Sequence, residues 1–130
     1  LIKNGRVYST DVCLPISKIT ECVKFAEEET KKFGLRAPMV GHLGDGNFHV
    51  ILPYDPLKKE TYKKIREFSD LLIKKTLELN GTITGEHGIG LHKKDYLIKE
   101  HGDNIPVMKS IKRTIDPNNI MNPGKIFDLN

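Results

Sequence analysis

Two histidines seven positions apart lie on either side of a turn-forming stretch that could bring their side chains together. Segment 41–49 reads GHLGDGNFH, so glycine, aspartate and asparagine separate two short apolar runs that each carry one histidine. This pattern is typical of a β-hairpin. Either a two-residue turn (45–46) or a four-residue loop (44–47) would place His42 opposite His49. Opposed residues have Cβ atoms about 4.5 to 5.5 Å apart, close enough for two imidazoles to bind one metal ion.

A third candidate ligand follows further along the chain. Segment 81–90 reads GTITGEHGIG and places Glu86 and His87 in a glycine-dense stretch, where the backbone can approach a ligand closely. Glu86 with His42 and His49 would make a two-histidine, one-carboxylate set that leaves coordination positions open for substrate and suits zinc, manganese or ferrous iron. His87 would then be free to act as a base. The alternative is that the hairpin histidines are half-buried structural residues with satisfied hydrogen bonds.

The elements that must position these residues follow the order strand, helix, strand, strand, helix, strand. Apolar residues recur with helical spacing between Ser17 and Gly34 and again between Pro56 and Leu79. This order predicts an α+β fold: a ferredoxin-like antiparallel sheet with two helices on one face, and the chemistry on the other face. The predicted strands are 5–13, 37–43, 48–52 and 82–84.

The residues after Gly90 predict a C-terminal helical extension. Two short helices are expected at about 92–100 and 106–115, with Pro117 ending the second. We therefore divide the chain into a ferredoxin-like substrate portion, residues 1–90, and a helical extension of the same domain, residues 91–130.

Composition indicates an ordinary globular domain. The 130 residues are 38% hydrophobic and 29% charged, and no tract approaches the 18 or more apolar residues of a membrane span. The formal charge of +4 comes with no interleaving of aromatic and basic residues, so nucleic-acid binding is not expected. Cys13 and Cys22 lack a paired spacing and are predicted to be buried free thiols in a reducing cytoplasm.

Three motifs together resemble the C-terminal part of the FAD-linked oxidase family. They are GHLGDGNFH at 41–49, GEHGIG at 85–90 and DPNNIMNPGK at 116–125, and the resemblance runs from about Tyr8 to Phe127. The family includes flavin-dependent D-lactate dehydrogenases, glycolate oxidase flavin subunits and D-2-hydroxyglutarate dehydrogenases.

The resemblance implies a role for each candidate residue. The three candidate ligands would hold a divalent metal that binds the hydroxyl and carboxylate oxygens of a 2-hydroxy acid, and His87 would be the general base, with hydride passing to the flavin. Asn122 would lie near the active-site end of the chain. Asn47 is expected to form the turn, and it is also a candidate for contact with substrate or on the flavin side.

Two departures from the family pattern bear on the substrate. Relatives specific for 2-hydroxyglutarate tend to have a lysine just before the position of Asp11 and an asparagine two places after the second histidine. This chain has Ser9 and Thr10 before Asp11, and Ile51 after His49. A monocarboxylic substrate such as D-lactate or glycolate is therefore expected.

The resemblance also implies that FAD is bound mainly by an N-terminal domain that these 130 residues do not include. The spacing of Gly85, Gly88 and Gly90 does not fit a dinucleotide fingerprint. The chain is thus expected to be a C-terminal fragment, inactive by itself, whose partners are the FAD-binding domain of the same polypeptide and a small 2-hydroxy acid.

The remaining expectations concern the cellular location, the oligomeric state and an alternative function. A cytoplasmic location is expected. Membrane association through electron-acceptor partners and homo-oligomerisation are both left open. The alternative function is a free-standing ferredoxin-like module that binds a metal or a protein partner and performs no redox chemistry.

Overall fold

The structure is a computed structural model that describes residues 5–129. Residues 1–4 of the predicted segment 1–90 and residue 130 of the predicted segment 91–130 lie outside the described residues. The described chain divides into two compact units, of which the first ends at Glu86 and the second begins at His87.

An antiparallel sheet forms one layer of the first unit. Its central strand, β4, pairs with β3 on one side and with β1 and then β2 on the other side. Beyond β2, the predicted strand 82–84 is reduced to a single antiparallel bridge between Thr82 and Cys13. The resulting strand order is that of a ferredoxin-like sheet. The strands are β1 (Arg6–Ser9), β2 (Val12–Cys13), β3 (Met39–His42) and β4 (Asn47–Tyr54).

Two helices cover one face of this sheet. Helix α1 (Ile16–Lys32) has Pro15 at its cap position, so Ser17, which was expected to be the cap residue, lies inside the first turn. Helix α2 (Lys59–Glu78) begins three residues after Pro56, because the main-chain N–H of Lys58 donates to the carbonyl of Asp55 and closes a turn there.

The first four residues of β4, Asn47 to Val50, are all buried, and the alternation of side chains along the strand separates the two faces of the sheet. Phe48, Val50 and Leu52 are fully buried against the apolar stripes of α1 and α2. Successive residues of a strand point to opposite faces, so Asn47 and His49 lie on the face away from the helices. The stripes consist of Ile19, Cys22 and Ala26 in α1 and of Ile65, Phe68 and Leu72 in α2.

The second unit contains helices α3 (Lys94–His101) and α4 (Ile105–Ile115), joined by a short 3-10 turn over Gly102–Asn104. The prediction of a mixed α+β fold with an antiparallel sheet, two covering helices and C-terminal helices is confirmed. Among the described residues, no helix combines the length and the apolar character that a membrane span requires.

Candidate functional site

The register of the hairpin differs from the predicted register. His42 pairs with Asn47, and His49 pairs with Val40, so the prediction that the two histidines oppose each other is wrong. They are diagonal neighbours on the same face of the sheet, because Asn47 and His49 are two residues apart on one strand. Diagonal positions lie roughly 7 to 8 Å apart, which is still within reach of long side chains.

The turn between β3 and β4 causes this shift. Leu43–Asp45 form a 3-10 turn, and Gly46 follows with a φ of +82°, so the loop closes one residue earlier than predicted. The carbonyl of Gly46 accepts the N–H of Leu14 at 2.9 Å, and a Cβ on Gly46 would lie only 2.1 Å from the carbonyl oxygen of Leu14. A glycine is therefore required here, and its contact with the end of β2 sets the register.

A local exchange of hydrogen bonds at Thr10 interrupts the edge strand between β1 and β2. The N–H of Val50 donates to the Thr10 hydroxyl at 2.8 Å, in place of a main-chain carbonyl. The Thr10 carbonyl instead accepts a hydrogen bond from Nδ1 of the His49 ring at 2.9 Å. The interruption in the strand thus supplies an acceptor that fixes the His49 ring.

The other nitrogen of His49 faces a carboxylate. Nε2 of His49 lies 2.9 Å from Oε1 of Glu86. Because Nδ1 donates to a carbonyl, the neutral ring presents a lone pair at Nε2, and two lone pairs repel at this distance. A cation between them, either a proton or a metal ion, removes that repulsion. The pair therefore fits a divalent metal by its donor chemistry.

A second carboxylate, Asp11, lies next to both His49 and the main chain of Glu86. It is 1% exposed, and the pairing register of β1 and β2 with β4 places it beside His49. Asp11 accepts hydrogen bonds from the Thr84 hydroxyl at 2.6 Å and from the N–H of Glu86 at 3.2 Å, and it lies 3.8 Å from Nδ1 of His49. No role for Asp11 follows from the sequence motifs. The polar pair Thr10-Asp11 inside a predicted strand was the available signal.

Asn47 presents an unsatisfied acceptor on the same face of the sheet. The residue is 6% exposed, and its Oδ1 is buried without a hydrogen-bond partner among the described residues. Gly85 packs directly against it, since a Cβ there would lie 2.6 Å from Oδ1. A buried acceptor of this kind is costly unless a donor completes it, so Asn47 fits contact with a ligand.

The remaining predicted site residues lie at the following places. His42 is exposed at the end of β3. His87 follows Glu86 directly in the chain and is the exposed first residue of the second unit. Asn122 lies in the second unit, exposed, with a φ of +47°. Of the predicted ligands in the first unit, the structure brings His49 and Glu86 into contact.

Comparison with known proteins identifies relatives of this chain. The chain is 41% identical over 125 residues to a probable mitochondrial D-lactate dehydrogenase of Danio rerio, with 95% of this chain and 25% of that protein covered. It is 38% identical over 118 residues to the glycolate oxidase subunit GlcD of Bacillus subtilis, with 90% and 25% covered. A D-2-hydroxyglutarate dehydrogenase of Stutzerimonas stutzeri is 36% identical over 134 residues, with 97% and 28% covered.

The chain thus spans about a quarter of the length of each of these three relatives. The family model for the C-terminal domain of FAD linked oxidases matches residues 1–126. On that match and these identities, the chain belongs to the family of FAD linked oxidases, as their C-terminal domain.

Proposed function

We propose that this chain is the C-terminal, substrate- and metal-binding portion of an FAD-dependent 2-hydroxy-acid dehydrogenase or oxidase of the D-lactate or glycolate type. The observation that carries the metal part of the proposal is the contact of 2.9 Å between Nε2 of His49 and Oε1 of Glu86. The names of the relatives, which are D-lactate, glycolate and D-2-hydroxyglutarate enzymes, support the class of reaction.

A divalent metal, zinc, manganese or iron, would be held by His49 and Glu86 with His42 as the third ligand. A bound divalent cation supplies positive charge that lowers the pKa of a substrate hydroxyl. The diagonal placement of His42 is compatible with this role, since its side chain is on the same face as His49. Asn47 would offer its buried Oδ1 to a donor group of the substrate.

His87 would take the hydroxyl proton, because an imidazole nitrogen can act as a general base. The support for this role of His87 is that the residue directly follows Glu86 in the chain. FAD, bound mainly by a domain of the same polypeptide outside these residues, supplies the acceptor for the hydride that leaves the substrate carbon. The 2-hydroxy acid would become a 2-oxo acid, and Asn122 would lie on the flavin side.

The substrate proposed is small and monocarboxylic. Ile51 lies on the same sheet face as His49, two residues further along β4, and its partner in the register is Ser9. Neither side chain carries a charge that could bind a second carboxylate. We therefore favour D-lactate or glycolate over 2-hydroxyglutarate.

The location proposed is a reducing compartment such as the cytoplasm. The support is that Cys13 and Cys22 are both free thiols, the state in which a reducing compartment keeps cysteines. The name of the Danio rerio relative assigns that protein to the mitochondrion.

Zinc titration of the 130-residue chain by calorimetry tests the metal site. We expect one zinc ion per chain, with binding weakened strongly by His49→Ala and by Glu86→Gln. The matched control is His92→Ala, which removes an exposed histidine of the second unit and should leave the affinity unchanged. Zinc binding that survives His49→Ala, or that His92→Ala weakens equally, would contradict the proposed ligands.

Paramagnetic relaxation tests the substrate class. Manganese is added to the chain, and the line widths of D-lactate, glycolate and D-2-hydroxyglutarate are compared by NMR. We expect broadening of D-lactate or glycolate that disappears in the His49→Ala variant. Metal binding without an effect on any 2-hydroxy acid would favour the alternative function, a free-standing metal-binding module.

A further inference from the structure

We infer that Asp11 is a positioning residue for the His49–Glu86 pair: it fixes the main chain of Glu86 and holds the His49 ring from the edge opposite to Glu86. The inference deepens the proposed function and rests on it for the consequence at the metal. The geometry itself is carried by contacts within the first unit alone.

The burial of Asp11 is the first observation. A carboxylate that is 1% exposed loses its hydration, and this is costly unless hydrogen bonds replace the lost water. Asp11 receives the hydroxyl of Thr84 at 2.6 Å and the N–H of Glu86 at 3.3 Å and 3.2 Å to its two oxygens. Both donors belong to the short segment that carries Glu86. The carboxylate is therefore satisfied by the segment that it holds.

The exposure of Glu86 explains why this hold matters. Its side chain is 47% exposed, so its placement depends strongly on where its main chain is held. The hydrogen bond to Asp11 anchors that main chain to the edge strand of the sheet, 75 residues away in sequence. Oε1 of Glu86 then lies within 2.9 Å of Nε2 of His49.

The position of Asp11 beside the ring is the second part of its role. Oδ1 of Asp11 lies 3.8 Å from Nδ1 of His49, on the ring edge that donates to the Thr10 carbonyl. A carboxylate at this edge supports the ring orientation in which Nδ1 faces the Thr10 carbonyl and Nε2 faces Glu86. One carboxylate thus orients both members of the pair.

The test replaces Asp11 by asparagine in the 130-residue chain. The readouts are the exchange rate of the Glu86 amide hydrogen, the ring-nitrogen chemical shifts of His49 and the dissociation constant for zinc. We expect Glu86 exchange to accelerate roughly tenfold, since a charged acceptor is lost. We expect zinc binding to weaken by about 10- to 100-fold. The control is Asp103→Asn, which makes the same charge change at an exposed position of the second unit.

Three results separate this inference from the metal function. Unchanged Glu86 exchange and unchanged His49 shifts in Asp11→Asn overturn the positioning role, whether or not zinc binds. Altered exchange of the Glu86 amide with an unchanged dissociation constant for zinc would refute the expected effect of Asp11 on metal binding. If the parent chain binds no zinc while Asp11→Asn still accelerates exchange of the Glu86 amide, the metal function is refuted and the positioning of Glu86 by Asp11 is supported. Should Asp11→Asn not fold, Thr84→Val removes one donor and is expected to shift the same signals in the same direction.

Discussion

At the scale of single residues, the candidate site depends on an exchange of hydrogen-bond partners at Thr10 and on the carboxylate of Asp11. The hydroxyl of Thr10 takes the N–H of Val50, and this releases the carbonyl of Thr10 to hold His49. Asp11 then accepts the N–H of Glu86 from the opposite direction. Each of these bonds is buried or partly buried, so the loss of one partner leaves a polar group that water cannot fully satisfy.

Replacement of Thr10 by valine tests the exchange of hydrogen bonds. Valine has nearly the same shape but no hydroxyl, so the buried N–H of Val50 would lose its acceptor. We expect a loss of about 1–3 kcal/mol in the free energy of unfolding, measured with a chemical denaturant. Thr10→Ser keeps the hydroxyl and should cost less. Equal stability of the two variants would show that the hydroxyl is not the acceptor that matters.

Replacement of Gly85 by alanine tests the contact with Asn47. The added Cβ would lie 2.6 Å from Oδ1 and from Cγ of Asn47, so either Asn47 or the segment that carries Glu86 must move. We expect zinc affinity to fall by about tenfold or more, because an orienting contact next to a ligand is disturbed. Gly102→Ala, where a Cβ meets nothing within 4 Å, is the control for calorimetry. Unchanged affinity in Gly85→Ala would contradict the coupling of Gly85 to the pair.

At the scale of elements, the loop between β3 and β4 decides which residues oppose each other across the hairpin. Segment 43–46 forms the loop, and the left-handed conformation of Gly46 is stabilised by the hydrogen bond from Leu14. A shift by one residue in each strand changes the partner of His42 from His49 to Asn47. Both histidines nevertheless stay on one face, because the total shift of two residues preserves the alternation of the strands.

Two glycines of this loop offer a matched pair of variants. Gly46→Ala requires a φ of +82° and a Cβ 2.1 Å from the Leu14 carbonyl oxygen, whereas Gly44→Ala meets nothing within 4 Å. We expect Gly46→Ala to lower the free energy of unfolding by more than about 1 kcal/mol and Gly44→Ala to leave it nearly unchanged. Denaturant titration of both variants measures the difference. Similar stability of the two variants would refute the role given to Gly46.

The segment after α4 is organised by a buried carboxylate and gives a prediction on pH. Asp116 accepts the N–H groups of Ile120 and Met121 and pairs with Lys112. The Lys112 partner holds the pKa of the Asp116 carboxyl below its usual value, despite the opposing effect of desolvation. The folded chain therefore binds fewer protons than the unfolded chain just below the usual aspartate pKa, so this stabilisation is present above that pKa and is lost as pH falls through the lowered value.

Asp116→Asn should remove this dependence on pH. We expect the variant to be less stable than the parent chain at neutral pH, and the difference between them to shrink on acidification below about pH 4. Thermal unfolding followed by circular dichroism over a pH series measures both quantities. A difference that stays constant down to the most acidic condition would exclude Asp116 as the source.

At the scale of the whole molecule, the described chain consists of two compact units, and the core of the first is closed by α1 and α2 against the sheet. Cys22 is fully buried in that core, and burial raises the pKa of its thiol. Cys13 is only partly buried at the sheet, so the prediction that both thiols are buried is wrong for this residue. A thiol is most reactive as an exposed thiolate, so Cys13 and Cys22 should differ in their rates of reaction with a thiol reagent.

Native-state labelling with a thiol reagent should therefore modify the two cysteines at different rates. We expect Cys13 to react readily, and Cys22 to react only as fast as the first unit opens, with a rate that rises steeply in denaturant. Mass spectrometry of peptides from a time course distinguishes them. Equal rates in native buffer would contradict a closed core around Cys22.

The sequence by itself determined the family, the order of elements and the faces of the helices and of β4. These follow from local periodicity and from short motifs: the apolar stripes of α1 and α2, the short apolar run that carries His49 and the turn residues before it are all encoded within a few positions. The helix starts differ from the predicted starts by two residues in α1, where Pro15 takes the cap position, and by three residues in α2, where a turn forms at Asp55.

Only the tertiary structure decided the register and the surroundings of His49. The loop conformation depends on the contact of Gly46 with Leu14, which is distant in sequence. The acceptor of the His49 ring lies 39 residues away at Thr10, and the anchor of Glu86 lies 75 residues away at Asp11. No local sequence pattern predicts these contacts, because they form only when the edge strand and the Glu86 segment pack onto β4.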